Sequence, residues 1–158
     1  MQQVSHNNQI LIELLEKWEP ILLSLNNETI ANHHNKQNRT IKQILGHMVD
    51  SATNNTHRII HLQYQPSPLI FPDYASLGKN DRWIAIQNYQ AENWQNLVNL
   101  WKYSNLHIIH VMQNVDESKL RNIWLTATGE EVSLIDMMIN YLPHFELHIN
   151  EISELINQ

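Results

Sequence analysis

Two His-x-x-x-His pairs, His57/His61 and His144/His148, place imidazoles one helical turn apart, a spacing at which two ring nitrogens can share a metal ion. The chain carries ten histidines, so roughly 0.6 such pairs arise by chance and the motif alone decides little. It carries no cysteine, which excludes disulfides, thiolate metal sites, iron-sulfur clusters and a cysteine nucleophile. Any metal must be held by His, Asp or Glu.

Position on the helices that carry them separates the two pairs. At about 100° per residue, the apolar stripe Leu134, Met138, Tyr141, Phe145, Ile149, Ile152, Ile156 centres about 100° from His144 and about 60° from His148, so both border the core. On an earlier helix the stripe Ile41, Ile44, Met48, Ala52, Ile59 centres about 120° from His47 and about 160° from His57 and His61. His47 is a border residue, whereas His57 and His61 face away and read as a solvated helix face. Side chains from facing helices of a bundle can converge on an interior ion, which makes His47, His144 and His148 the candidate set. A single border histidine is more often a packed, hydrogen-bonded core residue than a ligand. Three of them, two at ligand spacing, bring the alternatives level. His107, His110, His6, His33 and His34 have no assigned role, and Trp18, Trp83, Trp94 and Trp101 read as packing residues.

Four helical segments must position these groups. The first spans about Asn7 to Leu25, with Pro20 expected to kink it or end it early. The second opens on a Thr40/Gln43 capping box and stops at the Pro66, Pro68, Pro72 stretch, a loop reaching about Asn80. The third is expected to run unbroken from about Asp81 into the Leu106–Met112 region. A connector over Ile123–Val132, with Thr128-Gly129 as its turn, suggests a short hairpin. The fourth opens on Ser133/Asp136 and runs to about Ile156, with Pro143 either costing a hydrogen bond or starting a separate helix. This is an all-α, four-helix-bundle pattern with a short irregular or hairpin connector before the last helix, in a single domain over residues 1–158.

Hydrophobic content of 42% with 16% charged residues is globular usage, and 10 Lys+Arg against 16 Asp+Glu give a formal net charge of −6. An acidic balance argues against nucleic-acid binding, which draws on a basic surface. No signal peptide or membrane span is evident, so a cytoplasmic protein with no membrane partner is expected.

The run Arg39-Thr40-Ile41-Lys42-Gln43-Ile44-Leu45-Gly46-His47-Met48-Val49-Asp50-Ser51 resembles the second-helix signature of the DinB superfamily, particularly its YfiT-like branch of metal-dependent hydrolases. The run Tyr141-Leu142-Pro143-His144-Phe145-Glu146-Leu147-His148-Ile149-Asn150-Glu151-Ile152 resembles that family's fourth-helix signature. The resemblance implies a four-helix bundle with a divalent metal, zinc or nickel, on His47, His144 and His148. Glu151 stands where relatives often have Gln or His, and Pro143 where a bulky residue is common. Relatives include hydrolases and S-transferases that use bacillithiol, mycothiol or glutathione, which implies a small-molecule substrate and a low-molecular-weight thiol as a candidate cosubstrate.

Three neutral imidazoles leave a metal with an open position, which suits catalysis better than a closed structural site. That position can activate water or a thiolate. Asp50, one turn after His47, and Glu151, about one turn after His148, are candidates for orienting ligands or handling a proton, with an ordinary surface carboxylate slightly favoured for Asp50. The competing expectation is a non-catalytic helical module, a homodimer through aromatic faces, with structural histidines.

Overall fold

The computed structural model describes Met1–Gln158 and contains six helices and one small sheet: α1 Gln2–Ser24, α2 Asn27–Asn32, α3 Ile41–Tyr64, β1 Leu69–Ile70, α4 Lys79–Gln87, α5 Trp94–Gln113, β2 Ile123–Leu125, β3 Glu131–Ser133 and α6 Leu134–Ile156. The four long helices α1, α3, α5 and α6 make the bundle. α3 packs on α5 and α6, and α1 packs on the same two, so the order around the ring is α1, α5, α3, α6. No helix is long and apolar enough to cross a membrane.

The apolar stripes meet along the bundle axis. Leu11, Leu15 and Leu22 of α1, Ile44, Met48 and Ile59 of α3, Leu97, Trp101 and Met112 of α5, and Phe145 and Ile152 of α6 belong to one buried cluster. Each large apolar side chain so buried stabilises by roughly 1.5 to 3 kcal/mol relative to exposure. The Trp101 and Phe145 rings stack at 5.9 Å where α5 faces α6.

Both capping signals hold. Thr40 Oγ1 accepts from Gln43 N while Gln43 Oε1 accepts from Thr40 N, and Ser133 Oγ accepts from Asp136 N. Neither proline ends its helix, and Pro143 costs the intrahelical hydrogen bond expected of it. α1 runs through Pro20 to Ser24 because the carbonyl freed by the ring, that of Glu16, lies on the exposed side where water can serve it. α6 runs through Pro143, and here the carbonyl left without its helical donor, Ile139 O, accepts from Asn7 Nδ2 of α1 at 3.1 Å. One buried amide repairs the ladder.

The third predicted helix is two helices. Asn88 takes a left-handed conformation (φ 51°) and ends α4, a single helical turn follows over Tyr89–Ala91, and Asn93 starts α5 by accepting from Asn96 N. The break drives Tyr89 inward onto Gly46 of α3. A Cβ at Gly46 would sit 2.2 Å from Tyr89 Cδ2, so only glycine admits the ring. The connector is a hairpin turning at Gly129 (φ 85°), with Trp124 opposite Val132. β1, from the proline loop, adds in parallel and sets Leu69 opposite Trp124.

Candidate metal centre

α3 supplies His47 and α6 supplies His144 and His148, one turn apart. Because α3 and α6 are neighbours in the ring, the three imidazoles meet between them, and one nitrogen from each lies within 4.8 Å of the others. The His47 ring is 4.7 Å from that of His148 and 5.6 Å from that of His144, both edge-on. His144 Nε2 and His148 Nε2 are 3.2 Å apart. Two nitrogens at about 2.0 to 2.1 Å from a tetrahedral ion would lie roughly 3.3 Å apart, so the α6 pair is already spaced for one.

Electrostatics favour the lone-pair form of His47 and His144. Burial, reinforced by the neighbouring His148, His144 and Arg39, pushes His47 down from 6.5 to about 3. Burial and His148 push His144 down to about 4, with Glu151 acting the other way. At neutral pH both are uncharged, the state a metal requires. Glu151 Oε2 lies 2.8 Å from His148 Nδ1. A carboxylate there accepts the Nδ1 proton and leaves Nε2 as the electron-pair donor toward the cluster. Ser51 Oγ is 3.4 Å from His144 Nδ1 and can play the same part for that ring. His47 Nδ1 is buried without a partner.

Asp50 is not an ordinary surface carboxylate. It is 2% exposed, and its Oδ1 accepts from Tyr89 Oη and Gln87 Nε2, each at 2.6 Å. Burial raises its pKa, while those two hydrogen bonds oppose the rise. Tyr89 reaches it because Gly46 leaves room, so the loop between α4 and α5 is tied to the helix turn that carries His47. Oδ2 has no partner.

The other pair is not at the site. His57 is exposed, and His61 packs against Tyr64 and Phe71 with Nδ1 2.7 Å from Tyr64 Oη. His33 meets Leu155 O, and His34 meets Asn32 O.

A cavity of about 250 Å³ opens beside the cluster, with His144 in its lining along with Ser51, Asn55, Arg58, Tyr74 and Trp124. Arg58 was not among the sequence candidates. It is 4% exposed, and its guanidinium lies 3.9 Å above the Trp124 ring, a desolvated cation–π contact worth about 2 kcal/mol. Its position follows from the seven-residue step after Ser51, nearly two helical turns, which sets both on one face of α3. That step was visible in the sequence. The parallel β1–β2 pairing that brings Trp124 over it was not.

A helical bundle with three imidazoles converging between two of its helices has relatives in fold among solved structures. No family profile and no curated protein matches the sequence. Among solved structures, YfiT from Bacillus subtilis, described as a probable metal-dependent hydrolase with an unusual four-helix bundle topology, is similar at TM-score 0.84 and 17% identity. The match covers 98% of this chain and 86% of that one. A mycothiol-dependent maleylpyruvate isomerase is similar at TM-score 0.75 and 17% identity over 94% of this chain, and a point mutant of it at TM-score 0.75 and 16%. This chain spans 60% of the isomerase's length. The chain shares its fold with YfiT, a four-helix bundle, as the sequence pattern predicts.

Proposed function

We propose that this protein is a metal-dependent enzyme acting on a small molecule, with His47, His144 and His148 holding a divalent ion, zinc or nickel. The observation that carries this is the convergence of three imidazoles, two buried and one half-buried, at the end of a cavity large enough for a substrate. An ion there would act as a Lewis acid that favours the deprotonated form of a water or thiol ligand, which allows either hydrolysis or thiol S-transfer. The similarity to a probable metal-dependent hydrolase and to a mycothiol-dependent enzyme supports keeping both.

The protein's own groups have separable tasks. Glu151 fixes the tautomer and ring plane of His148, and Ser51 does so for His144. The Tyr89–Asp50–Gln87 contacts hold the α3 turn from which His47 projects. Val132, Met137 and Trp124 give the cavity part of its apolar wall.

The test is metal content and zinc or nickel titration of the untagged protein, followed by turnover assays with and without bacillithiol, mycothiol or glutathione. Stoichiometric metal with thiol-independent turnover of esters or amides selects hydrolysis; turnover that requires a thiol selects transfer. Failure to bind divalent metal overturns the reading.

A second reading has its own observation. The 3.2 Å His144–His148 contact is also a hydrogen-bond distance, and Glu151 already engages His148, as structural histidines would be engaged. A non-catalytic, dimeric module of this kind predicts that a His47→Ala/His144→Ala/His148→Ala variant sediments as a dimer like the parent and binds no less of its partner.

A further inference from the structure

Arg58 is a buried cation without a carboxylate on its fork. Its Nη1 donates to Asn55 Oδ1 at 3.0 Å, but Nε and Nη2, the two donors on one edge, have no partner. Asp73, the one carboxylate in the cavity lining, is committed elsewhere: Oδ1 accepts from Ala75 N and Ser76 N, and Oδ2 from Ala127 N. Parallel N–H groups on one guanidinium edge match the two oxygens of a carboxylate.

The groups between this edge and the histidines form a continuous polar row. Arg58 Nη1 reaches Asn55 Oδ1, Asn55 Nδ2 reaches Ser51 Oγ at 3.2 Å, and Ser51 Oγ reaches His144 Nδ1 at 3.4 Å. From Ser51 to Arg58 the helix rises about 10 Å. Ser51, Asn55, Arg58 and His144 all line the cavity of about 250 Å³, so a chain lying along the row would span from the guanidinium to the imidazole.

We propose that Arg58 is the anchor for a substrate carboxylate, so that this cavity takes molecules of about six carbons with a carboxylate at the Arg58 end and the reacting carbon at the His144 end. The assignment of the reacting end rests on the metal-centre reading above; the carboxylate anchor does not. In this structure both free donors are shut off from solvent, so docking requires the Asp73–Ser76 loop or the guanidinium itself to shift and admit the anion.

The test uses metal-free protein, so that no carboxylate can bind through an ion, with hexanoate and its neutral counterpart hexanamide as probes and the Trp124 indole N–H resonance as the readout. Hexanoate is expected to bind at least tenfold more tightly than hexanamide and to shift that resonance. The Arg58→Lys variant, which keeps the charge and loses the fork, should cut the preference below threefold while leaving zinc titration at the histidines unchanged. Equal affinity for the two probes, a preference that survives Arg58→Lys, or saturable shifts that bypass Trp124 would each overturn the proposal. Should Arg58→Lys fail to fold, the two probes on the unaltered chain still decide. Zinc titration is scored separately, so loss of the metal reading and loss of the carboxylate anchor are distinct results.

Discussion

The same four-residue histidine spacing occurs twice in this molecule and ends in two different environments. On α6, His144 and His148 turn toward α3, bring their Nε2 atoms to 3.2 Å and meet His47. On α3, His57 lies in the open and His61 stacks among Tyr64 and Phe71 near the helix end. Spacing supplies the opportunity to bind a metal. A third imidazole from a neighbouring helix, burial that keeps His47 and His144 uncharged, and a carboxylate behind His148 set the α6 pair apart.

The largest effect should come from removing each pair in turn. His144→Ala/His148→Ala is expected to weaken zinc or nickel affinity by at least roughly a hundredfold, and His57→Ala/His61→Ala to leave it within about twofold, as read by competitive metal titration. Equal losses would erase the contrast.

Acid should act on the buried cluster next. His47 and His144 accept protons only near pH 3 to 4 when folded, against 6.5 when unfolded, so the unfolded chain binds more protons between those values. The metal-free protein therefore loses stability as pH falls below 6.5 and stops losing it near 3. At about 1.4 kcal/mol per unit, His47 alone makes this several kcal/mol. Urea midpoints at pH 7 and pH 4.5 should diverge in the parent and in His57→Ala/His61→Ala, and converge in His47→Ala/His144→Ala.

Each pair also has a hydrogen-bonded neighbour. Glu151→Gln should reduce metal affinity by about ten- to a hundredfold, because Glu151 orients His148. Tyr64→Phe, which removes the equivalent contact to His61, should leave the same titration unchanged. The smallest effect belongs to the scaffold under the α6 pair. Asn7→Ala strands the Ile139 carbonyl opposite Pro143 and should cost about 1 to 2 kcal/mol, a fall in Tm of about 2 to 8 °C, whereas exposed Gln9→Ala should change nothing measurable.

Local chemistry made much of this legible in advance. The Thr40/Gln43 and Ser133/Asp136 caps mark the starts of α3 and α6 because they satisfy donors within three residues, and the Gly129 turn marks the hairpin for the same local reason. The convergence of His47 with the α6 pair could be read from stripe geometry and the two family-like signatures. What escaped depends on contacts between distant segments. The break at Asn88–Asn93 goes with the docking of Tyr89 on Gly46, Pro143 is tolerated because Asn7 lies across from it, and Asp50 is buried by a loop more than thirty residues away. Arg58 escaped for a related reason: a lone arginine late in a helix reads as surface until β1 and β2 lay Trp124 across it.

The ring order carries one more consequence. α3 and α6 touch, yet 93 residues separate Ser51 from His144, and about half of the bundle lies within that interval. An ion bridging the two helices would act as a reversible cross-link closing a very long loop. Each tenfold excess of free ion over its dissociation constant would then add about 1.4 kcal/mol against unfolding. Resistance to heat and proteases would rise and fall with the supply of the ion, making survival of the whole chain a gauge of metal availability.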